Sequence, residues 1–135
     1  MPNIEGALVS LFANDPVVPT IVASRVFPIV MPIGSSFPSL VYQRISTPRW
    51  NALDDAAGTP HARFQFTCWA ATMNEVIALS QAVKDALAGF VGWSEGINIG
   101  QALLVDTRDS WLWEAGQQLG LYRRDLDFEI VWNDR

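Results

Sequence analysis

Apolar residues along the chain recur with two different periods, and each period marks an element. Ile4, Ala7, Leu8, Leu11 and Phe12 are spaced by three and four residues, the spacing of one face of a helix. Asn3 stands at the N-cap position and Asn14-Asp15-Pro16 is a stop signal, so a short N-terminal helix is expected. Val17 to Ala23 is apolar and compatible with a further helical turn against the first. Arg25 to Val30 and Leu40 to Ser46 are rich in β-branched and aromatic residues and flank a Pro- and Gly-dense connection over 31–38. Two strands joined by a loop follow from that pattern.

Arg63 to Ala70 alternates, with Phe64, Phe66 and Cys68 on one face and Arg63, Gln65 and Thr67 on the other, which is the pattern of a half-buried strand. Thr72-Met73-Asn74-Glu75 is a capping box, in which hydroxyl and carboxylate each serve a free backbone N–H. Val76, Leu79, Ala82, Val83, Ala86, Leu87 and Phe90 then continue one helical stripe that ends near Gly89 or Gly92. Strands are expected over Ile97–Val105 and Leu121–Trp132. The stretch from Asp106 to Gly120 carries no sustained period. Strands outnumber helices without alternating regularly with them, so the expected class is α+β: a mostly antiparallel sheet with one long helix packed on it and a short N-terminal helix. At 135 residues and 15.0 kDa the expectation is a single domain over 1–135. A loop over 47–61, long for a connection inside a domain, is expected to be mobile.

Charge narrows the function classes. Nine basic residues face fourteen acidic ones, giving a net charge of −5. Lys84 is the sole lysine, and nothing resembles the Lys/Arg cluster that phosphate-backbone binding needs. The longest charge-free run, Val26 to Gln43, is broken by Pro28, Pro32, Pro38 and Gly34, so no membrane-spanning helix is expected. The start lacks the basic region of a signal peptide and Cys68 has no partner for an internal disulfide, which suits a reducing compartment. Charged residues make up only 17% of the chain against about 25% for an average soluble domain, and six are tryptophan out of the uncharged remainder. Trp is enriched at interfaces, so partners are expected.

Candidate chemistry is sparse. Gly92-Trp93-Ser94-Glu95-Gly96 matches the G-x-S-x-G elbow of hydrolases, but here a helix precedes and a strand follows, and the one histidine, His61, lies upstream rather than last. A Gly-rich turn is the expected reading. Asp125, Asp127 and Glu129 alternate, so a strand would put three carboxylates on one face, where they could hold Mg²⁺ or do acid/base work. The favoured reading is a solvated or subunit-facing surface, with arginines such as Arg63 pairing across strands; a small metal- or ligand-binding enzyme using those three acids is the alternative. Cys68 shares a face with two phenylalanines and is expected in the core, and His61 is expected in the polar loop, where a Cys-His catalytic pair is not favoured. One Cys and one His do not make a zinc site, and the glycines lack phosphate-loop spacing. Neither cofactor nor metal is expected. Trp50 and Trp93 fall in loops, where an indole is costly to expose unless a partner covers it.

Four stretches in order carry a resemblance: Ile4-Glu5-Gly6-Ala7-Leu8; Arg25-Val26-Phe27-Pro28 with Phe37-Pro38-Ser39-Leu40-Val41-Tyr42-Gln43; Arg63-Phe64-Gln65-Phe66-Thr67-Cys68-Trp69-Ala70 running into Ala82-Val83-Lys84-Asp85-Ala86-Leu87; and Leu121-Tyr122-Arg123-Arg124-Asp125-Leu126-Asp127-Phe128. With these the chain resembles the small tail-completion proteins of long-tailed bacteriophages, also called tail terminator or head-tail joining proteins. The resemblance implies a structural part of the virion neck and not an enzyme, assembled in the host cytoplasm. It implies a homo-oligomeric ring, commonly a hexamer, on the head-proximal end of the tail. There it would stop polymerisation of the tail tube protein and meet the head connector or a head-completion protein. DNA would pass through the lumen without specific binding, as suits an acidic subunit. The expected interface residues are Trp50, Trp93, Arg123 and Arg124.

Overall fold

The computed structural model describes residues 3–32, 34, 36–46, 61–112 and 121–133. Helix α1 spans Ile4–Ala13 and begins where Asn3 accepts the Gly6 N–H on its side-chain oxygen at 2.6 Å, relieving one of the donors that a helix start leaves free. Asp15 does the same for α2, Val18–Val22, accepting the Val17 and Val18 N–H groups at 2.9 and 3.0 Å. Helix α3, Met73–Leu87, starts at Thr72, whose hydroxyl oxygen accepts the Glu75 N–H at 3.2 Å. The expected capping box is half made: the Glu75 carboxylate accepts the Thr72 hydroxyl at 2.9 Å rather than reaching a backbone donor.

Six strands follow the same chain order: β1 Val26–Pro28, β2 Ser39–Ser46, β3 His61–Ala70, β4 Gly92–Ser94, β5 Ile97–Leu112 and β6 Leu121–Asn133. They form one sheet in the order β1-β2-β3-β6-β5-β4. The class is α+β, but the sheet is mixed rather than mostly antiparallel. β1 lies parallel to β2, with Val26 opposite Leu40, while the remaining neighbours are antiparallel. Strand direction depends on how the connection over 29–38 returns the chain, and the composition of two short strands carries no record of that. Two further differences concern extent. Gly92–Ser94, expected as a turn, pairs with Ile97–Ile99 as β4, and β5 continues to Leu112 instead of ending at Val105. The loop expected over 47–61 lies outside the described residues except for His61, which is the buried first residue of β3.

All three helices contribute to one core on one side of the sheet. Phe64, Phe66 and Cys68 from β3 meet Leu126, Phe128 and Ile130 from β6 and Leu40 from β2, beneath Phe12 of α1 and Val76, Leu79, Val83 and Leu87 of α3. Phe66 is the hub: its ring lies edge-on to Phe12 at 5.4 Å and to Phe128 at 5.7 Å, and parallel to Phe64 at 6.4 Å. The alternation read from the sequence thus becomes a phenylalanine layer, each ring holding its neighbour in a preferred geometry. The side of the sheet away from the helices carries polar and charged groups together with Val41 and Trp69.

Candidate protein interface

That helix-free face is where Asp125, Asp127 and Glu129 stand, opposite Thr67, Gln65 and Arg63 of β3. Asp125 and Asp127 are only 5% and 4% exposed. They are covered by side chains of their own chain, not by solvent. Arg63 and Arg108 both donate to Asp127 at 2.8 Å, with a second Arg108 bond at 3.2 Å. Asp125 accepts the Thr67 hydroxyl at 2.8 Å and Arg123 at 2.9 to 3.2 Å. Burial pushes the Asp127 carboxyl up, but the bonds from Arg108 and Arg63 outweigh it and hold the group below the ordinary carboxylate range. Those same bonds from Asp127 and Asp106 raise Arg108 further. Oxygens so engaged have guanidinium groups where a cation would sit. Among the described residues no group of three His, Cys, Asp or Glu side chains could hold a metal ion.

The remaining nucleophile candidates are also engaged. Cys68 is fully buried, and burial pushes its thiol far above the ordinary value, which makes it inert. The Ser94 hydroxyl donates to the Ala7 carbonyl at 2.7 Å and so ties β4 to α1.

Trp93 on β4 is 59% exposed. It walls an open hollow of about 540 Å³ between α1, the end of α3 and β4, with Leu11 and Phe90 on its floor and Asp15, Asp85 and Glu95 around it. Ser10 donates to Glu95 at 3.0 Å across the hollow. An exposed indole among carboxylates suits a partner side chain that is both flat or apolar and cationic.

A family model described as tail completion protein gp17 matches residues 6–132. The chain belongs to the tail completion protein gp17 family. A search of curated proteins found no match, whereas 14 chains of solved structures match. One of them, from the virion of a native gene transfer agent (GTA) particle, superposes with a TM-score of 0.68 at 19% identity, over 96% of this chain and 93% of that one. The two share the fold.

In this tail completion family member the expected interface residues are dispersed. Trp50 lies outside the described residues. Trp93 is near the β4 end of the sheet, opposite Asn98 of β5. Arg123 and Arg124, adjacent on β6, point to opposite faces. Arg123 covers the Trp69 ring at 5.4 Å on the helix-free side. Arg124 turns toward α3, donating to Asp109 at 2.6 and 3.1 Å and to the Ser80 hydroxyl at 3.1 Å. The paired bonds raise Arg124 and lower Asp109 from their ordinary values. Ile29 and Val30, which the composition puts inside the first strand, lie beyond the end of β1 and are 65% and 69% exposed. Their one local anomaly, a left-handed backbone at Ile29 with φ of 64°, leaves no mark in an ordinary β-branched residue.

Proposed function

We propose that this protein is a virion part that assembles as a ring, a hexamer as in the proteins it resembles, at the head-proximal end of a phage tail. There it ends tail-tube polymerisation and joins the tail to the head connector. The observation that carries this reading is the family match over residues 6–132. The surface supports it: Trp93 stands exposed in its acidic hollow, and we assign it to one of the two protein contacts, with Trp50, Arg123 and Arg124 as further contact residues. The electrostatics agree with a passive channel. The net charge is −5, and Arg63, Arg108, Arg123 and Arg124 are held by carboxylates of their own chain, so this surface has little to grip DNA with. The whole chain from 1 to 135 acts as one unit in this reading, in the virion neck.

Electron microscopy of lysates from a phage lacking this gene tests the proposal. Tails of abnormal length beside filled, unattached heads are the expected result. Normally joined particles would sink it.

A further inference from the structure

The sheet is open at both ends, and its two edges differ in a way that makes them fit one another. At the β1 end, Ile29 is held in the left-handed region, which a β-branched residue rarely adopts because its Cβ substituents crowd the backbone. Its N–H donates to the Tyr42 carbonyl at 2.8 Å, which pins this conformation to β2. Ile29 and Val30 are 65% and 69% exposed and form an apolar rim at the sheet edge, beside a hollow of about 310 Å³ that reaches Val41, Trp69 and Arg123.

At the other end, β4 covers only Ile97–Ile99 of β5. The Gly89 N–H then bonds the Ala102 carbonyl at 2.9 Å. Beyond that bond, Leu103–Leu112 has no strand on its outer side among the described residues. Where α3 leaves this edge there is a hollow of about 430 Å³ lined by Gly89, Val91, Gly100 and Leu103. Val91 and Leu103 are 69% and 50% exposed, and nearby Val105 is 41% exposed.

We propose that successive copies of this chain join head to tail through these edges, with Ile29 and Val30 of one copy seated in the hollow beside Leu103 of the next. The inference rests on the ring reading above and names its subunit contact. Three observations favour a second copy as the occupant. No charged residue lines the hollow and none lies in Val26–Met31. Two copies of a chain with net charge −5 repel over most of their surfaces, and least where both surfaces are uncharged. Apolar side chains on both edges would form the centre of a contact. At the ~60–120 Å² implied for a fully exposed aliphatic side chain, the five partly exposed residues hold about 180–350 Å², roughly a quarter of the ~1,000 Å² that a specific interface buries, the rest coming from the flanking strand edges. Finally, the Ile29-Val30 rim and the hollow beside Leu103 lie at opposite ends of the strand order, so the contact is heterologous, and a heterologous contact generates a ring where its rotation closes and a filament where it does not.

The test uses full-length protein in sedimentation velocity at matched concentration. Ile29→Asp and Leu103→Asp, both at exposed positions, should each shift the species from ring mass to monomer mass while keeping the wild-type circular dichroism spectrum. An equimolar mixture of the two variants should give a heterodimer and nothing larger, because each retains one intact edge. Rings formed by either variant, or no heterodimer in the mixture, would overturn the head-to-tail contact. If a variant loses its fold, the double variant Ile29→Cys, Leu103→Cys decides: oxidation should link assembled subunits into ladders, with buried Cys68 out of reach. Assembled protein that gives no ladder overturns the inference. Rings that survive both aspartate substitutions but no longer bind tubes would assign the edges to another partner and overturn it too. A wild type that stays monomeric at every concentration defeats the ring reading itself, which separates that failure from failure of the contact.

Discussion

Replacing Asp127 by Asn removes the negative charge on which Arg63 and Arg108 converge while keeping the size of the side chain. Asp127 is 4% exposed and accepts three bonds of 2.8 to 3.2 Å. A hydrogen bond to a charged group contributes about 1.5–3 kcal/mol, and breaking a buried ion pair costs about 3–5 kcal/mol. The two arginine side chains are 42% and 46% exposed, so water recovers part of the loss. We therefore expect about 2 kcal/mol of destabilisation at neutral pH, a Tm lower by about 6–10 °C for a chain of this size. The effect should depend on pH in one direction. The folded-state carboxyl titrates below its ordinary value, so its contribution is complete above the unfolded value near 4 and is lost as pH falls through the lower folded value. Thermal unfolding of both proteins from about pH 7 to pH 2.5, at one protein concentration, checks this. The gap should hold down to about pH 4 and then close. A loss under about 0.5 kcal/mol at neutral pH, or a gap that stays constant into acid, would refute the pairing as a source of stability.

Phe66→Ala should cost about 3–5 kcal/mol, since its ring joins Phe12, Phe64 and Phe128; urea titration reads this directly. Trp93→Ala should change stability by less than about 1 kcal/mol because the indole is largely exposed, yet reduce head-tail joining by about tenfold or more as an interface anchor, scored by complementation of a deletion phage. Mg²⁺ or Ca²⁺ should leave the Tm unchanged because arginines already fill the carboxylate sites. An upward shift abolished by Asp127→Ala would revive the metal-binding alternative.

The elements whose periods are set by neighbouring residues were legible. The apolar stripe of α3, its Thr72 cap, and the Phe64-Phe66-Cys68 face are local patterns, and they form as expected. Misreadings fall where an element's environment changes along its length. β5 has register shifts between Ile99 and Gln101 and between Leu104 and Asp106. A bulge turns the following side chains to the other face, so the strand loses its simple alternation although its ladder to β6 continues to Leu112. Asp125 and Asp127 read as a solvent face by spacing, and they do share a face. Their burial is imposed by arginines from β3, β5 and β6 itself, which no local pattern reveals.

The sequence by itself determined the α+β class, the core face of β3 and β6, the absence of a basic patch, and a resemblance that the family match now establishes. Those follow from side-chain period, composition and motif order, all properties of the chain read in one direction. Only the tertiary structure decided which strands are neighbours, that β1 runs parallel to β2, that Arg123 and Arg124 serve opposite faces, and that Ile29 and Val30 stand exposed at one edge while a hollow opens at the other. Those are relations between residues far apart in the chain. They are set by how the connections return and by the twist and register of the sheet, and a pattern confined to one segment carries no information about them.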